Sequence, residues 1–257
     1  MSARPTVVVT GSASGIGAAV RRCLEADHRV VGVDLRNAEV IADLASAEGR
    51  AAACAGVRAA AGTALDRLVL CAGLGAHVDP PSRVAAVNYF GAVDLLDGLL
   101  DLLRGGGDAP AVVVVCSNSA QMLPLDDDPL VRALLAHDEA EAMRVADAGT
   151  PPHAYMASKH ALGRAVRRRA GAWGRAGVRL NAVAPGPVET PLLQGGRDDP
   201  RIGDAIRALS VPLGRTGRPE EIATLVAFLL GADASWIHGA VYYIDGGNDA
   251  EIRPDRF

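Results

Sequence analysis

Tyr155 and Lys159 are the residues whose types and spacing first suggest chemistry. They lie four residues apart at the start of a predicted helix, so they share one face and the ammonium group lies near the phenol. Such a pair can move a proton to or from a carbonyl oxygen, although the same spacing also occurs on exposed helix faces. Ser117 follows an apolar strand and could hold that oxygen. Ser119, two residues further on, competes for this role.

A glycine-rich loop between a β-branched strand and a helix provides a second kind of chemistry. Its glycines allow a tight turn that approaches a pyrophosphate, and amides at the helix N-terminus favour the negative charge. The strand, loop and helix order favours nucleotide binding over an ordinary turn. The candidate cofactor-binding residues of this loop are Gly11, Ser14, Gly15, Ile16 and Gly17.

Asp34 ends the second apolar strand and is followed by Leu35, which also joins the predicted cofactor site. A carboxylate there can accept hydrogen bonds from both hydroxyls of an adenosine ribose, and it would repel a 2′-phosphate. The loop has no Arg or Lys, and Arg36 is the only cation near Asp34 in the sequence. These residues predict NAD in preference to NADP.

The elements that must position these residues alternate along the chain. With 257 residues, 49% apolar and 22% charged, the sequence predicts one α/β domain over 1–257, a doubly wound parallel sheet of the Rossmann type. Buried strands are predicted at Thr6 to Val9, Val30 to Val33, Leu68 to Cys71, Ala111 to Val115, Val178 to Val183 and Val241 to Ile244. Helices are predicted at Ile16 to Ala26 and near 84–103, 155–175 and 219–230.

Three segments depart from this alternation. Only residues 35–38 separate the second strand from Glu39 to Ala42, too few for a helical crossover, so the edge strand is predicted to be short or absent. Residues 119–153 predict a helical insertion, with one helix to Ala136 after Asp128 and Pro129, and another over Glu139 to Ala148 capped by Asp138. Residues 191–217, rich in Gly, Pro and charge, predict a mobile substrate lid or else an ordinary surface connection.

Composition argues against several other classes. The net charge of −4 and scattered arginines argue against a nucleic-acid partner. Neither the four cysteines nor the six histidines show metal-ligand spacing, so no metal is expected. No apolar stretch reaches a membrane-spanning length, and the N-terminus has no signal-like core. A cytoplasmic protein with buried free thiols is the expectation.

Taken together, these motifs resemble the classical short-chain dehydrogenase/reductase family over nearly the whole chain. The matching positions are the glycine loop, Asp34, Asp43-Leu44, Cys71-Ala72-Gly73, Asn88, Ser117, Tyr155 with Lys159, Asn181, Pro185-Gly186, Thr190 and Asp245-Gly246-Gly247. Within the family, residues 38–44, 71–75 and 88–92, the insertion and the ending Arg253-Pro254 to Phe257 resemble those of bacterial hydroxysteroid dehydrogenases. Leu70-Cys71-Ala72-Gly73 departs from the common Asn-Asn-Ala-Gly by losing two amides.

The resemblance implies roles for individual residues. Tyr155 would be the general acid or base, Ser117 would hold the substrate oxygen, and Lys159 would also bind the nicotinamide ribose. Asn88 would order a water that links the lysine to solvent, unless it is only a structural amide. Base chemistry near neutrality needs a tyrosine pKa well below its usual value near 10, which Lys159 and a positive nicotinamide could supply.

The remaining implied contacts concern the two ends of the cofactor. Asp43 and Leu44 would line the adenine pocket, although Asp43 could instead cap a following helix. Thr190 would hold the carboxamide. Further cofactor-binding residues by resemblance are Cys71, Ala72, Gly73, Pro185, Gly186 and Val188.

The predicted reaction interconverts a secondary alcohol and a ketone with NAD(H). Five apolar residues that flank the catalytic positions in sequence predict an apolar cyclic substrate, with 3-keto or 3α-hydroxysteroids as the first choice: Met122, Leu123, Leu125, Leu192 and Leu193. The alternatives are a terpene or xenobiotic substrate, or an NAD-sensing protein without turnover. In the resembled family, chains pair through the tyrosine helix or through the last long helix and final strand. Because the insertion should cover the surface beside the tyrosine helix, the resemblance implies a homodimer through 220–230 and 241–244, unless the insertion itself makes a new contact.

Overall fold

The computed structural model describes residues 4–107 and 109–256. Met1 to Ala3 and Phe257, which fall within the predicted domain and its ending, lie outside the described residues. The strands are β1 (Thr6–Thr10), β2 (Arg29–Asp34), β3 (Val40–Ile41), β4 (Arg67–Leu70), β5 (Ala111–Val115), β6 (Arg179–Pro185) and β7 (Val241–Ile244). They form one parallel sheet in the order β3-β2-β1-β4-β5-β6-β7. The predicted doubly wound sheet is confirmed.

The helices cover both faces of this sheet. They are α1 (Gly15–Leu24), α2 (Ala47–Ala61), α3 (Pro81–Ala85), α4 (Gly91–Arg104), α5 (Pro129–Leu135), α6 (Glu139–Asp147), α7 (Pro151–Arg175), α8 (Pro191–Asp198), α9 (Gly203–Arg207), α10 (Pro219–Leu230) and α11 (Asn248–Ile252). Val8 faces a core shared with α2, α4 and α7, whereas Val7 and Val9 face a core shared with α1 and α10. This alternation follows from the period of two along a strand.

The edge strand β3 is as short as the sequence predicts. It pairs in parallel with β2 through Val33 with Val40 and Asp34 with Ile41, without a helix between the two strands. The helical stretch predicted near 84–103 is confirmed, and a π-helical turn at Ala86–Phe90 joins α3 to α4 within it. That turn carries Asn88.

Residues 119–153 contain the two predicted helices. Asp128 caps α5 by accepting hydrogen bonds from the N–H groups of Leu130 and Val131, and Asp138 caps α6 by accepting from Glu141 N. The insertion ends earlier than predicted, because α7 begins at Pro151, after Thr150 as its N-cap. Tyr155 therefore lies one turn inside the helix. Helix α5 packs on α7, and α6 packs on both α3 and α5.

A bilayer-spanning helix would need a long, nearly uncharged apolar stretch. None of the helices in the described part of the chain is both long and apolar enough to cross a membrane.

Candidate active site

A cavity of about 530 Å³ opens at the carboxyl ends of the central strands. Residues at the ends of β1, β2, β4, β5 and β6 line it, as expected for ligand sites in open parallel sheets. All but one of the site residues predicted from the sequence lie on its walls: Gly11, Ser14, Gly15, Ile16, Gly17, Asp34, Leu35, Asp43, Leu44, Cys71, Ala72, Gly73, Ser117, Tyr155, Lys159, Pro185, Gly186, Val188 and Thr190. Asn88 is the exception.

Ser117 and Tyr155 meet inside this cavity. Ser117 follows β5 and caps a short 3₁₀ turn, where its Oγ accepts a hydrogen bond from Ser119 N at 3.2 Å. Its Oγ also lies 2.9 Å from Ser119 Oγ. Burial raises the pKa of Tyr155, and a hydrogen bond with Ser117 partly opposes this increase. The phenol is therefore protonated at neutral pH and can donate a proton.

Lys159 lies one helical turn beyond Tyr155 and is 5% exposed. Its Nζ donates a hydrogen bond to the carbonyl oxygen of Val115 at 2.9 Å, which ties α7 to the end of β5. Burial lowers the pKa of Lys159, while the nearby thiols of Cys116 and Cys71 raise it. In the protein alone, burial is the largest influence on the pKa of Tyr155 and raises it. The lowering expected from Lys159 together with a positive nicotinamide stays a prediction.

Asn88 is buried behind the cavity wall, held by the π-helical turn. Its Oδ1 accepts from Leu74 N at 2.7 Å, and its Nδ2 donates to Leu74 O at 3.1 Å and to Ser158 Oγ at 3.3 Å. The amide thus fixes the segment after β4 against the catalytic helix. A Cβ built on Gly73 would lie 3.2 Å from Asn88 Oδ1 and 3.4 Å from Lys159 Nζ, so both groups approach the same small residue.

The glycine loop fits a pyrophosphate. Gly11 has φ of 67°, and a Cβ there would lie 2.9 Å from Ala72 Cα, so only glycine allows this packing of β1 on the segment after β4. Ser14 is the N-cap of α1 but makes no capping hydrogen bond within the described residues. The first amides of α1 are therefore left for an anion, and the helix dipole favours one there.

Asp34 is positioned by backbone donors on both sides of its carboxylate. Oδ2 accepts from Ala13 N at 3.0 Å, and Oδ1 accepts from Leu35 N at 2.7 Å. Each oxygen keeps a further lone pair for a ribose hydroxyl. The interpretation that Arg36 is the only cation near Asp34 is wrong in the folded chain. Arg21 on α1 lines an adjoining cleft together with Ala13, whose N–H binds Asp34. Arg21 is 13 residues before Asp34 in the sequence, so the sequence alone did not indicate that the two are close.

Asp43 and Thr190, at the two ends of the half of the cavity that contains the glycine loop (the cofactor half), are held in different ways. Asp43 is not a helix cap, because α2 begins at Ala47 with Ser46 as its N-cap. Its carboxylate instead lies 3.5 Å from the Arg83 guanidinium at the cavity wall. Thr190 caps α8 by accepting from Leu193 N at 3.2 Å.

The other half of the cavity is apolar, and its residues come from three separate segments. Met122, Leu192 and Leu193 line it as predicted, whereas Leu123 and Leu125 do not. Leu123 is 42% exposed, and Leu125 is 3% exposed within the core. The short 3₁₀ turn after Ser117 turns the chain away, so neighbours in sequence separate in space.

Several residues that line this half of the cavity were not predicted from the sequence, because no motif marks them. Met156 follows the catalytic tyrosine on α7, and Ile206 and Leu209 come from the segment predicted as a lid. That segment, 191–217, contains α8 and α9. Arg201 within it donates to Asp79 Oδ2 at 2.8 Å and to His77 O at 2.9 Å, which ties the segment to the loop after β4. Its mobility remains a prediction.

The four cysteines are free, and two of them lie in the cavity wall. Burial raises the pKa of Cys71 to about 12 and that of Cys116 to about 11. Both are neutral thiols at physiological pH and act as small apolar residues. Across residues 4–107 and 109–256, no group of three His, Cys, Asp or Glu side chains is arranged to hold a metal ion.

Comparison with known proteins gives close matches of fold and sequence. A family model described as enoyl-(acyl carrier protein) reductase matches residues 140–249. The chain is 50% identical over 255 residues to a 3-alpha-hydroxysteroid dehydrogenase/carbonyl reductase of Comamonas testosteroni, covering 98% of this chain and 99% of the relative. A cis-4-hydroxycyclohexanecarboxylate dehydrogenase of Sinomonas cyclohexanicum is 31% identical over 265 residues, covering 96% and 98%.

A solved structure supports the same relationship. The crystal structure of the 3-alpha-hydroxysteroid dehydrogenase from Pseudomonas sp. B-0831 complexed with NADH superimposes with a TM-score of 0.96 at 47% identity. It covers 98% of this chain and 100% of that chain.

Proposed function

Because this chain belongs to the classical short-chain dehydrogenase/reductase family of oxidoreductases, we propose that it interconverts an apolar cyclic secondary alcohol and its ketone with NAD(H). A 3α-hydroxysteroid is the first substrate class. The observation that carries the proposal is the convergence of Ser117, Tyr155 and Lys159 at the cavity where the apolar half meets the glycine-loop half. The Comamonas and Sinomonas relatives, which match nearly the whole chain, act by their names on a 3-alpha-hydroxysteroid or a carbonyl compound and on cis-4-hydroxycyclohexanecarboxylate, both of them ring alcohols in the hydroxysteroid and hydroxycyclohexane cases.

The residues that would hold the dinucleotide fit its chemical groups. The first amides of α1 would bind the pyrophosphate, Asp34 would accept from the adenosine ribose, and Thr190 and Val188 would hold the nicotinamide end. The similar Pseudomonas enzyme was crystallised as a complex with NADH. When bound, the nicotinamide would supply or accept the hydride, and its oxidised form would carry a positive charge.

Tyr155 supplies the proton in reduction. Its pKa is raised by burial, so the phenol holds its proton until the carbonyl oxygen becomes basic. Ser117 donates a hydrogen bond to the same oxygen and fixes its position, with Ser119 as its hydrogen-bonded neighbour. Lys159 is held by Val115 O and lies close to Gly73, where it can bind the nicotinamide ribose and relay a proton. Asn88 fixes the adjoining segment through its hydrogen bonds with Leu74 and Ser158, and it would order a water that links Lys159 to solvent.

The substrate proposal rests on the apolar half of the cavity. Met122, Met156, Leu192, Ile206 and Leu209 offer carbon and sulfur surface without a charged group of their own. Burial of such surface stabilises a bound apolar ring system by about 25 cal/mol per Å² removed from water. Highly charged sugars or nucleotides would lose hydration there without gaining partners.

A substrate panel tests this proposal. Purified protein is mixed with NADH and with a 3-ketosteroid, a terpene ketone, an aromatic xenobiotic ketone and a ketose sugar, and absorbance at the NADH band is followed. We expect the highest kcat/KM with the 3-ketosteroid. Turnover only of the terpene or xenobiotic ketone would assign a non-steroid substrate, turnover only of the sugar would contradict an apolar site, and NADH binding without any turnover would indicate a sensor.

The assembly proposed is a homodimer through α10 and β7, located in the cytoplasm. Phe228 on α10 is 44% exposed and Trp236 shortly after it is 98% exposed, an apolar surface that a second copy could cover. Four free thiols agree with a reducing compartment. Light scattering should give a dimer that Phe228→Asp converts to a monomer. A stable tetramer that becomes a dimer when residues 119–150 are shortened would contradict the proposal.

A further inference from the structure

A second, shallow cleft lies next to Asp34, outside the large cavity. Its walls are Ser12, Ala13, Arg21, Asn37, Ala38 and Glu39. Ala13 belongs to the glycine loop, and its N–H donates to Asp34 Oδ2 at 3.0 Å. The cleft therefore borders the carboxylate that would accept from the ribose hydroxyls, and it adjoins the place of a ribose 2′-oxygen.

The cleft contains an ionised carboxylate bound to a guanidinium. Glu39 accepts two hydrogen bonds from Arg21, at 2.7 Å from Nη2 and 2.9 Å from Nη1. Its Oε2 also accepts from the backbone N–H of Gly32 at 2.7 Å. Although burial opposes ionisation, the hydrogen bonds from Arg21 and Gly32 hold the pKa of Glu39 below its usual value. A forked guanidinium and a backbone N–H are the donors that bind phosphates.

Ser12 adds an unused donor at the same place. The residue is 3% exposed, and among the described residues its buried hydroxyl has no hydrogen-bond partner. A Cβ built on Gly32 would lie 2.8 Å from Arg21 Nη1 and 2.9 Å from Glu39 Oε2, and it would collide with Ser12 Oγ. The hydroxyl, the guanidinium and the carboxylate therefore surround one point at Gly32.

We propose that Glu39 acts as an internal anion that occupies a latent 2′-phosphate site, so that it excludes NADP(H) together with Asp34. Asp34 repels the phosphate where the ribose lies. Glu39 adds a second negative charge and keeps Arg21 engaged, so the cleft's cation cannot pair with an incoming phosphate. The chain thus has hydrogen-bond donors suited to a phosphate, but these donors bind the carboxylate of Glu39 instead.

A competing explanation is that Glu39 only holds the short connection between β2 and β3. Glu25 provides the matched control, because it also binds Arg21, at 2.8 Å through Nε, but does not line the cleft. If Arg21 mattered only for local stability, removal of either carboxylate would have the same effect on cofactor binding.

The test uses the full chain in the Asp34→Ser background, which removes the first repulsive charge and lowers NADH affinity. Into it are placed Glu39→Gln, Glu25→Gln, and Glu39→Gln with Arg21→Met. Dissociation constants of NADPH and NADH are measured by cofactor fluorescence, and folding is checked by thermal melting. Because NAD(H) dependence is itself a proposal, wild-type affinity for NADH is measured first. If the wild-type protein does not bind NADH, the proposed function is contradicted. If it does bind NADH and the variants do not behave as expected, only the role of Glu39 is contradicted.

We expect Glu39→Gln to tighten NADPH binding about tenfold relative to the Asp34→Ser parent, the size of one freed charge-assisted contact. NADH binding should change less than about twofold, and adding Arg21→Met should remove the gain. Equal effects of Glu39→Gln and Glu25→Gln, or a gain that persists without Arg21, would overturn the proposal. A Glu39→Gln variant that melts with wild-type cooperativity but binds NADPH no more tightly than the Asp34→Ser parent would also overturn it.

Discussion

The two halves of the cavity are built in different ways. The cofactor half, which runs from the glycine loop through Asp34 to Thr190, consists of short motifs at the carboxyl ends of neighbouring strands. Local hydrogen bonds hold Asp34 and Thr190, and the bond from Ala13 N to Asp34 joins the glycine loop to the end of β2. The substrate half is assembled from α7, the turn after β5 and the segment of α8 and α9, which meet only in the folded chain. A site made of local motifs can be predicted from sequence, whereas a site made of packed surfaces cannot.

Tyr155→Phe should produce the largest effect, because the residue lies where the two halves meet. The change deletes the proton donor and keeps the ring, so turnover should fall by about 10²- to 10⁴-fold, while NADH affinity is retained. Steady-state kinetics and NADH fluorescence titration measure the two quantities. Tyr242→Phe, outside the cavity, is the matched control. A variant that keeps more than about a tenth of wild-type turnover would show that Tyr155 is not the acid.

Within the cofactor half, Asp34 should set the preference for NADH over NADPH. Like-charge contact costs several kcal/mol, so the wild-type ratio of kcat/KM should be about 100. Asp34→Asn should reduce this ratio by at least about tenfold, since it removes the charge and keeps the shape. Asp43→Asn removes a carboxylate from the same half and should leave the ratio unchanged. Equal efficiency of wild-type protein with both cofactors would contradict the assignment.

Within the substrate half, Leu192 and Leu123 form a matched pair, 39% and 42% exposed respectively. Only Leu192 lines the cavity. Leu192→Ala should lower kcat/KM for an apolar cyclic ketone by about tenfold and should not change NADH affinity. Leu123→Ala should alter neither quantity. If the two variants behave alike, the apolar half does not bind substrate.

The smallest effect should come from the cysteines. With the pKa of Cys71 at about 12 and that of Cys116 at about 11, both sulfurs remain neutral thiols at physiological pH, and alkylation requires the thiolate. Iodoacetamide should therefore modify the exposed Cys23 first, as followed by mass spectrometry, with little loss of turnover. Cys23→Ser serves as the control that removes the fast site. Rapid modification of Cys71 would show that the wall of the cofactor half is open.

Sequence alone determined the order of the chemical groups along the chain. The β-branched run before Gly11, the position of Asp34 at a strand end, and the caps at Asp128 and Asp138 each act over a few residues. Local hydrogen bonding and the periods of two and 3.6 decide such features, so they can be predicted before the chain is folded.

Only the tertiary structure decided which distant groups meet. It separated Leu123 and Leu125 from the cavity, added Met156, Ile206 and Leu209, and placed Arg21 beside Ala13. It also decided the direction of the Tyr155 pKa, because burial depends on every element packed around the phenol. Packing and desolvation sum over the whole fold, so neither can be assigned to a motif before its neighbours are known.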